Sequence, residues 1–111
     1  MAVLVATGTA ALAAEQHAPP INSANEKLLA MRPADRAAEL AKAVGHWCIG
    51  TDAFPMGMTK TGQAAGFAYW SLRCADGSAW AVQIDPLGEV TAIDCAHFNA
   101  AAGGKQCFKR F

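Results

Sequence analysis

The sequence predicts an α+β domain in which an N-terminal helix packs on a small antiparallel β-meander of three or four strands, tied by two disulfides. Three observations predict it. A capped segment with one apolar face runs over residues 24–44, aromatic and β-branched residues with turn punctuation follow Gly45, and four cysteines stand in a chain of only 111 residues. A chain of this length holds at most one domain, and a core that small for its surface commonly needs covalent help.

The first fourteen residues, MAVLVATGTAALAA, carry no charged side chain. They are too few to span a bilayer as a helix, which takes about 20 apolar residues. Their length suits the apolar part of a secretory signal, and Ala11-Leu12-Ala13 supplies the small-x-small pattern a signal peptidase accepts. The segment 1–13 is therefore expected to be a signal peptide cleaved after Ala13. No Lys or Arg precedes the apolar run, so the positive charge of such a signal comes either from the N-terminal amine or from residues upstream of Met1. Residues 14–22, with Pro19-Pro20 and no periodicity, are expected to be a flexible lead-in, and 23–111 a single α+β domain.

Ser23-Ala24-Asn25-Glu26 fits a capping box, in which the Ser hydroxyl accepts from a free backbone N–H and the Glu reaches back to the cap. Pro33 breaks or bends the helix near Arg32 and can open a second helical segment. There Ala37, Leu40, Ala41 and Val44 fall at i, i+3, i+4 and i+7, one apolar face, and Gly45 stands at the C-cap. A strand is expected over His46–Thr51, an exposed loop over Asp52–Gly66 on the strength of Pro55, Gly57 and Gly62, and three strands over Phe67–Cys74, Ala79–Ile84 and Val90–Cys95.

Turn chemistry sets the register. A three-residue loop Ala75-Asp76-Gly77, with Gly77 at the left-handed bulge position, puts Trp80, Val82 and Ile84 on the face of Trp70, Leu72 and Cys74. A two-residue loop would set them against Tyr69, Ser71 and Arg73, a poor apolar match. Asp85-Pro86-Leu87-Gly88 reads as a type I turn and brings Val90 and Ala92 to the same face. The helix is expected to cover that face, since a one-sided apolar sheet must bury it against something. The same register points Asp94 at Trp80, where its carboxylate could accept from the indole N–H.

Export would place Cys48, Cys74, Cys95 and Cys107 in an oxidising compartment, where an even set in a short chain reads as disulfides. No spacing is C-x-x-C, which excludes a thioredoxin-type motif. Of the three possible pairings, the register disfavours Cys74–Cys95, because it sends those residues to opposite faces and bridged Cβ atoms lie about 4 Å apart. Cys48–Cys74 with Cys95–Cys107 is favoured, each worth roughly 3 kcal/mol in the loop-entropy picture.

Function is less legible. Lys+Arg and Asp+Glu both number 9, so no net field marks the chain for nucleic acid or an anionic surface. His46-x-Cys48 and Cys95-x-His97 could present two ligand pairs to a tetrahedral zinc, at the cost of leaving Cys74 and Cys107 unpaired. Met56 and Met58 beside His46 invite Cu(I), although such methionines more often fill a core. Ser23, Ser71 and Ser78, the histidines, and Asp52, Asp76, Asp85 and Asp94 sit in no G-x-S-x-G, H-E-x-x-H or phosphate-cradling glycine loop. Asp76 and Asp85 already have turn roles. The tail, with Lys105, Lys109 and Arg110 among Phe108 and Phe111, could dock on an acidic or membrane surface, or simply pack with its lysines solvated.

The stretch Trp80-Ala81-Val82-Gln83-Ile84-Asp85-Pro86-Leu87-Gly88-Glu89-Val90 resembles the strand-turn-strand of PepSY-type modules, and that likeness implies a role in binding or restraining partners. Tyr69-Trp70-Ser71, Cys74-Ala75-Asp76-Gly77 and Cys107-Phe108-Lys109 resemble segments of short uncharacterised exported proteins of proteobacteria, which implies export and no particular activity. The sequence thus predicts a periplasmic or secreted, non-catalytic protein that binds or modulates an envelope protein. It needs no cofactor, binds no nucleic acid, and meets the membrane only through its signal peptide. The alternative is a metal-binding envelope protein using His46, Cys48, Cys95 and His97.

Overall fold

The computed structural model describes residues 21–101 and 103–111. The signal peptide expected over 1–13, and the lead-in as far as residue 20, lie outside the described residues. The chain runs α1 (Ser23–Ala30), α2 (Pro33–Val44), β1 (Gly50–Met58), β2 (Ala68–Cys74), β3 (Ala79–Ile84), β4 (Val90–Asp94) and α3 (Cys95–Ala101). The strands form one antiparallel sheet in the order β1-β2-β3-β4, so the fold class is the α+β meander expected.

α1 begins one residue earlier than the capping box implied. Asn22, in extended backbone, is the N-cap, and its side-chain oxygen accepts from the Asn25 N–H at 3.0 Å. Asparagine caps as well as serine does, and here its amide is needed for more than the helix. The Asn22 Nδ2 group donates to the carbonyls of Gly66, Ile84 and Asp85, at 2.9, 3.0 and 3.2 Å. Pro33 ends α1 as expected: the residue before a proline avoids helical dihedrals, and Arg32 sits at φ −69, ψ 153. Arg36 then joins the two helices. Its Nε and Nη2 donate to the Leu28 and Leu29 carbonyls at the end of α1, the first of which also accepts from the Met31 N–H.

The helical layer covers the face read from the turns. Leu28, Ala37, Leu40 and Ala41 meet Ala68, Trp70, Leu72, Val82 and Ile84 in the main core. Observed pairs such as Trp70↔Val82, Leu72↔Trp80, Val82↔Ala92 and Ile84↔Val90 are the predicted register. Gly77 takes φ 89 at the bulge position, where a side chain would be strained. Trp70 is wholly buried; its indole N–H donates to Asn25 Oδ1 at 2.7 Å, and the Arg36 guanidinium lies 5.7 Å from the ring centroid. α2 also passes close to the start of β1. A Cβ on Gly50 would come within 2.2 Å of the Ala37 carbonyl oxygen, so only glycine permits that approach.

Both disulfides form with the favoured pairing, Cys48–Cys74 and Cys95–Cys107. Cys48–Cys74 ties the segment leaving α2 to the end of β2. Cys95–Cys107 ties the head of α3 to the C-terminal tail.

Three expectations are corrected. Asp52–Met58 is not loop but most of β1, and the first strand starts at Gly50 rather than His46. Proline is admitted because β1 is an edge strand with register irregularities around Asp52 and Gly57. Asp94 does face Trp80 across the ladder, but the indole N–H donates to Ser78 Oγ at 3.0 Å, while the Asp94 carboxylate turns to cap α3. The sheet's other face is covered too. Met56, Ala81 and Phe98 are buried there with Phe54, Tyr69, Ile93 and Cys107 around them, so the sheet lies between two layers. The tail crosses this outer face, where the Phe108 N–H donates to Ser71 Oγ of β2 at 2.7 Å and the Phe111 N–H to the Met56 carbonyl of β1 at 3.0 Å.

Candidate functional site

The residues singled out for chemistry do not assemble into a reactive centre. Cys48 and Cys95 are each consumed in a separate disulfide, so neither offers a thiolate, and His46, Cys48, Cys95 and His97 are not a ligand set. Among the described residues no three His, Cys, Asp or Glu side chains group as a metal site. Met56 is buried in the outer cluster and Met58 packs with the main core, which separates the proposed thioethers.

Three of the four aspartates singled out have structural roles. Asp94 Oδ1 accepts from the His97 N–H at 3.0 Å and Oδ2 faces His97 Nδ1; these contacts, the backbone one first, hold the Asp94 carboxyl below its usual value. Asp76 accepts from the Ser78 hydroxyl and N–H, which lower its pKa in the same way. Asp85 accepts from the Leu87 and Glu89 N–H groups, closing its turn. Ser71 is engaged by the tail and Ser78 bridges Asp76 to Trp80.

Among the described residues the fold presents a groove beside an open sheet edge. Between α1, α2 and the β3–β4 end of the sheet lies a hollow of about 440 Å³, its apolar wall formed by Leu28, Met31, Leu40, Ala43, Ile84 and Val90. Two cations stand on its rim. Lys42 is paired with Glu39 at 2.8 Å; Lys27 makes no ion pair among the described residues. The groove remains because α2 reaches β4 without covering its first residue, leaving Val90 47% exposed on the apolar face.

The two sheet edges differ. β1 carries Pro55, two irregularities and the tail on Met56, devices that blunt an edge against further pairing. β4, Val-Thr-Ala-Ile-Asp, has a regular ladder and no proline. Its free hydrogen-bonding groups can be placed. The Asp85 N–H donates to the Glu89 carbonyl. By antiparallel alternation Thr91 and Ile93 therefore bond to β3, while Val90 and Ala92 turn N–H and C=O outward. The side chains of Val90 and Ala92 lie on the groove face, so free backbone and apolar hollow belong to one surface.

Sequence reasoning placed Val90 and Ala92 on the apolar face but assumed the helix covered them. The signal available was α1's brevity, with Pro33 ending it early.

Comparison with known proteins finds no matching family model, no matching curated protein and no matching solved structure. The functional reading accordingly rests on this surface.

Proposed function

We propose that this is a non-catalytic binding domain of the cell envelope that accepts an extended segment of a partner protein along β4. The observation that carries the reading is the unblunted edge of β4 directly against an apolar groove. A peptide strand adding to such an edge gains main-chain hydrogen bonds from Val90 and Ala92, and its alternate side chains drop into the hollow for specificity. Lys27, free of any ion pair among the described residues, favours an acidic residue in the incoming segment. An expectation of export, drawn from residues 1–13, and the two disulfides support a location outside the cytoplasm.

The test is selection of a randomised linear-peptide display library on the immobilised oxidised protein. Enrichment of extended peptides with alternating apolar residues and an acidic flank is expected. Ala92→Pro removes one outward N–H while leaving the β3–β4 ladder intact, a substitution edge strands tolerate. It should abolish binding of the selected peptides, and Val90→Lys should do so by charging the groove. Absence of any enriched sequence, or undiminished binding by Ala92→Pro, would refute the reading.

A further inference from the structure

On the opposite side of the sheet the tail organises a second surface, and we infer that Arg73, Lys105, Lys109 and Arg110, with Phe111, form a docking face for an anionic phospholipid surface. Overall charge conceals it, because the chain is balanced at nine charges of each sign. Locally the balance fails. Residues 103–111 hold three cations and no side-chain carboxylate, and these cations line an open hollow of about 370 Å³ with Phe111 at its rim.

The fold adds a fourth charge that sequence separation hides. The Arg73 guanidinium lies 4.8 Å from the Phe108 ring centroid, Phe108 lies 6.4 Å from Phe54, and the Arg110 guanidinium lies 6.0 Å from Phe54 on the other side. Two arginines thus flank one aromatic pair. Lys105 is held in the same manner, its ammonium 5.1 Å from the Phe111 ring. None of the four forms an ion pair among the described residues; Arg73 donates to the Gly77 carbonyl at 3.4 Å and has Asp52 opposite it in the β1–β2 ladder, so the three tail cations are the ones most readily given to an anion.

Two features favour a bilayer over a soluble phosphate. The cations are spread across an aromatic surface instead of converging on a point, which suits an array of headgroups. Phe111, 47% exposed among them, offers an apolar edge to the acyl boundary, the combination that interfacial binders use. The tail is also held in place before binding by its bonds to Ser71 and Met56 and by the Cys95–Cys107 disulfide, which limits the ordering cost.

Co-sedimentation of the oxidised protein with phosphatidylglycerol–phosphatidylcholine vesicles, against phosphatidylcholine alone, tests the inference. Binding is expected to the anionic vesicles and to weaken with ionic strength. Each of R73Q, K105Q, K109Q and R110Q should lower the partition coefficient about fivefold, and Phe111→Ser about tenfold. Lys109 is exposed and its ammonium makes no ion pair or cation–π contact among the described residues, so K109Q keeps the test decisive even if an arginine variant fails to fold. Equal binding to phosphatidylcholine, or K109Q and K105Q behaving as the parent, would overturn the inference. So would displacement by inorganic phosphate beyond that by chloride at equal ionic strength, which would mark a site for free phosphate.

Discussion

Replacing Asn22 by alanine should cost far more than a helix cap is worth. The residue is 1% exposed, and its amide gathers three places far apart in sequence: the head of α1, Gly66 before β2, and the end of β3 at Ile84 and Asp85. Losing the acceptor for the Asn25 N–H costs about 1 kcal/mol, the usual loss for an N-cap. Losing the donor leaves the buried Gly66 carbonyl without its partner, at between about 1 and 3 kcal/mol, while the Ile84 carbonyl keeps the Ala68 N–H across the ladder. The sum, between about 2 and 4 kcal/mol, is a large share of the stability of a small domain. Urea unfolding of the oxidised protein, followed by tryptophan fluorescence, should show the midpoint falling accordingly with little change in slope. Asn22→Asp separates the two roles, because it keeps the capping oxygen and sets a carboxylate against carbonyl oxygens. At neutral pH it should be at least as destabilising as alanine, and it should recover partly in acid, where the protonated carboxyl again donates. A loss near 1 kcal/mol for Asn22→Ala, or an Asn22→Asp protein as stable as the parent, would refute the tie between α1 and β3.

Two further outcomes follow from close packing and burial. Gly50→Ala places a methyl 2.2 Å from the Ala37 carbonyl oxygen, so α2 or β1 must shift; a loss of about 3 kcal/mol is expected by thermal or urea unfolding, and one under about 0.5 kcal/mol would show the approach to be loose. Burial against the outer layer pushes the Tyr69 hydroxyl above its ordinary pKa of 10.0. A raised folded value means the contribution to stability is complete below the unfolded pKa and is lost as pH rises through the folded one. Because Tyr69 is the sole tyrosine, tyrosinate absorbance reports it alone; the native midpoint should exceed that in denaturant, and equal midpoints would contradict the burial.

The helices, the meander and the disulfide pairing were legible because local chemistry dictates them. Pro33 must interrupt a helix, Gly77 favours a bulge turn, and the resulting register leaves Cys74 and Cys95 facing apart. β1 was hidden because Pro55 and Gly57 look like loop punctuation until the strand is known to lie at an edge, and strand order is a property of the whole sheet. The outer layer was hidden for a related reason. Tyr69, Ser71 and Arg73 read only as a poor apolar match, whereas Ser71 and Arg73 are partners of Phe108, thirty-seven residues from the former. Asn22 read as lead-in because its three acceptors are main-chain carbonyls, which no residue type announces. The groove was hidden because periodicity tells which way a helix faces, and not which residues of each strand it covers.

The tail's route has a mechanical consequence. It leaves a covalent ring anchored beside the last strand of the sheet and finishes on the first, so it works as a girdle around the four-strand margin. Prying β1 away, the cheapest way to open most edge-bounded sheets, would here require unbuckling Phe108 and Phe111 beforehand. Fraying at that side is thus coupled to detachment of the outer layer, while β4, which carries no such belt among the described residues, is left as the margin free to exchange its neighbours.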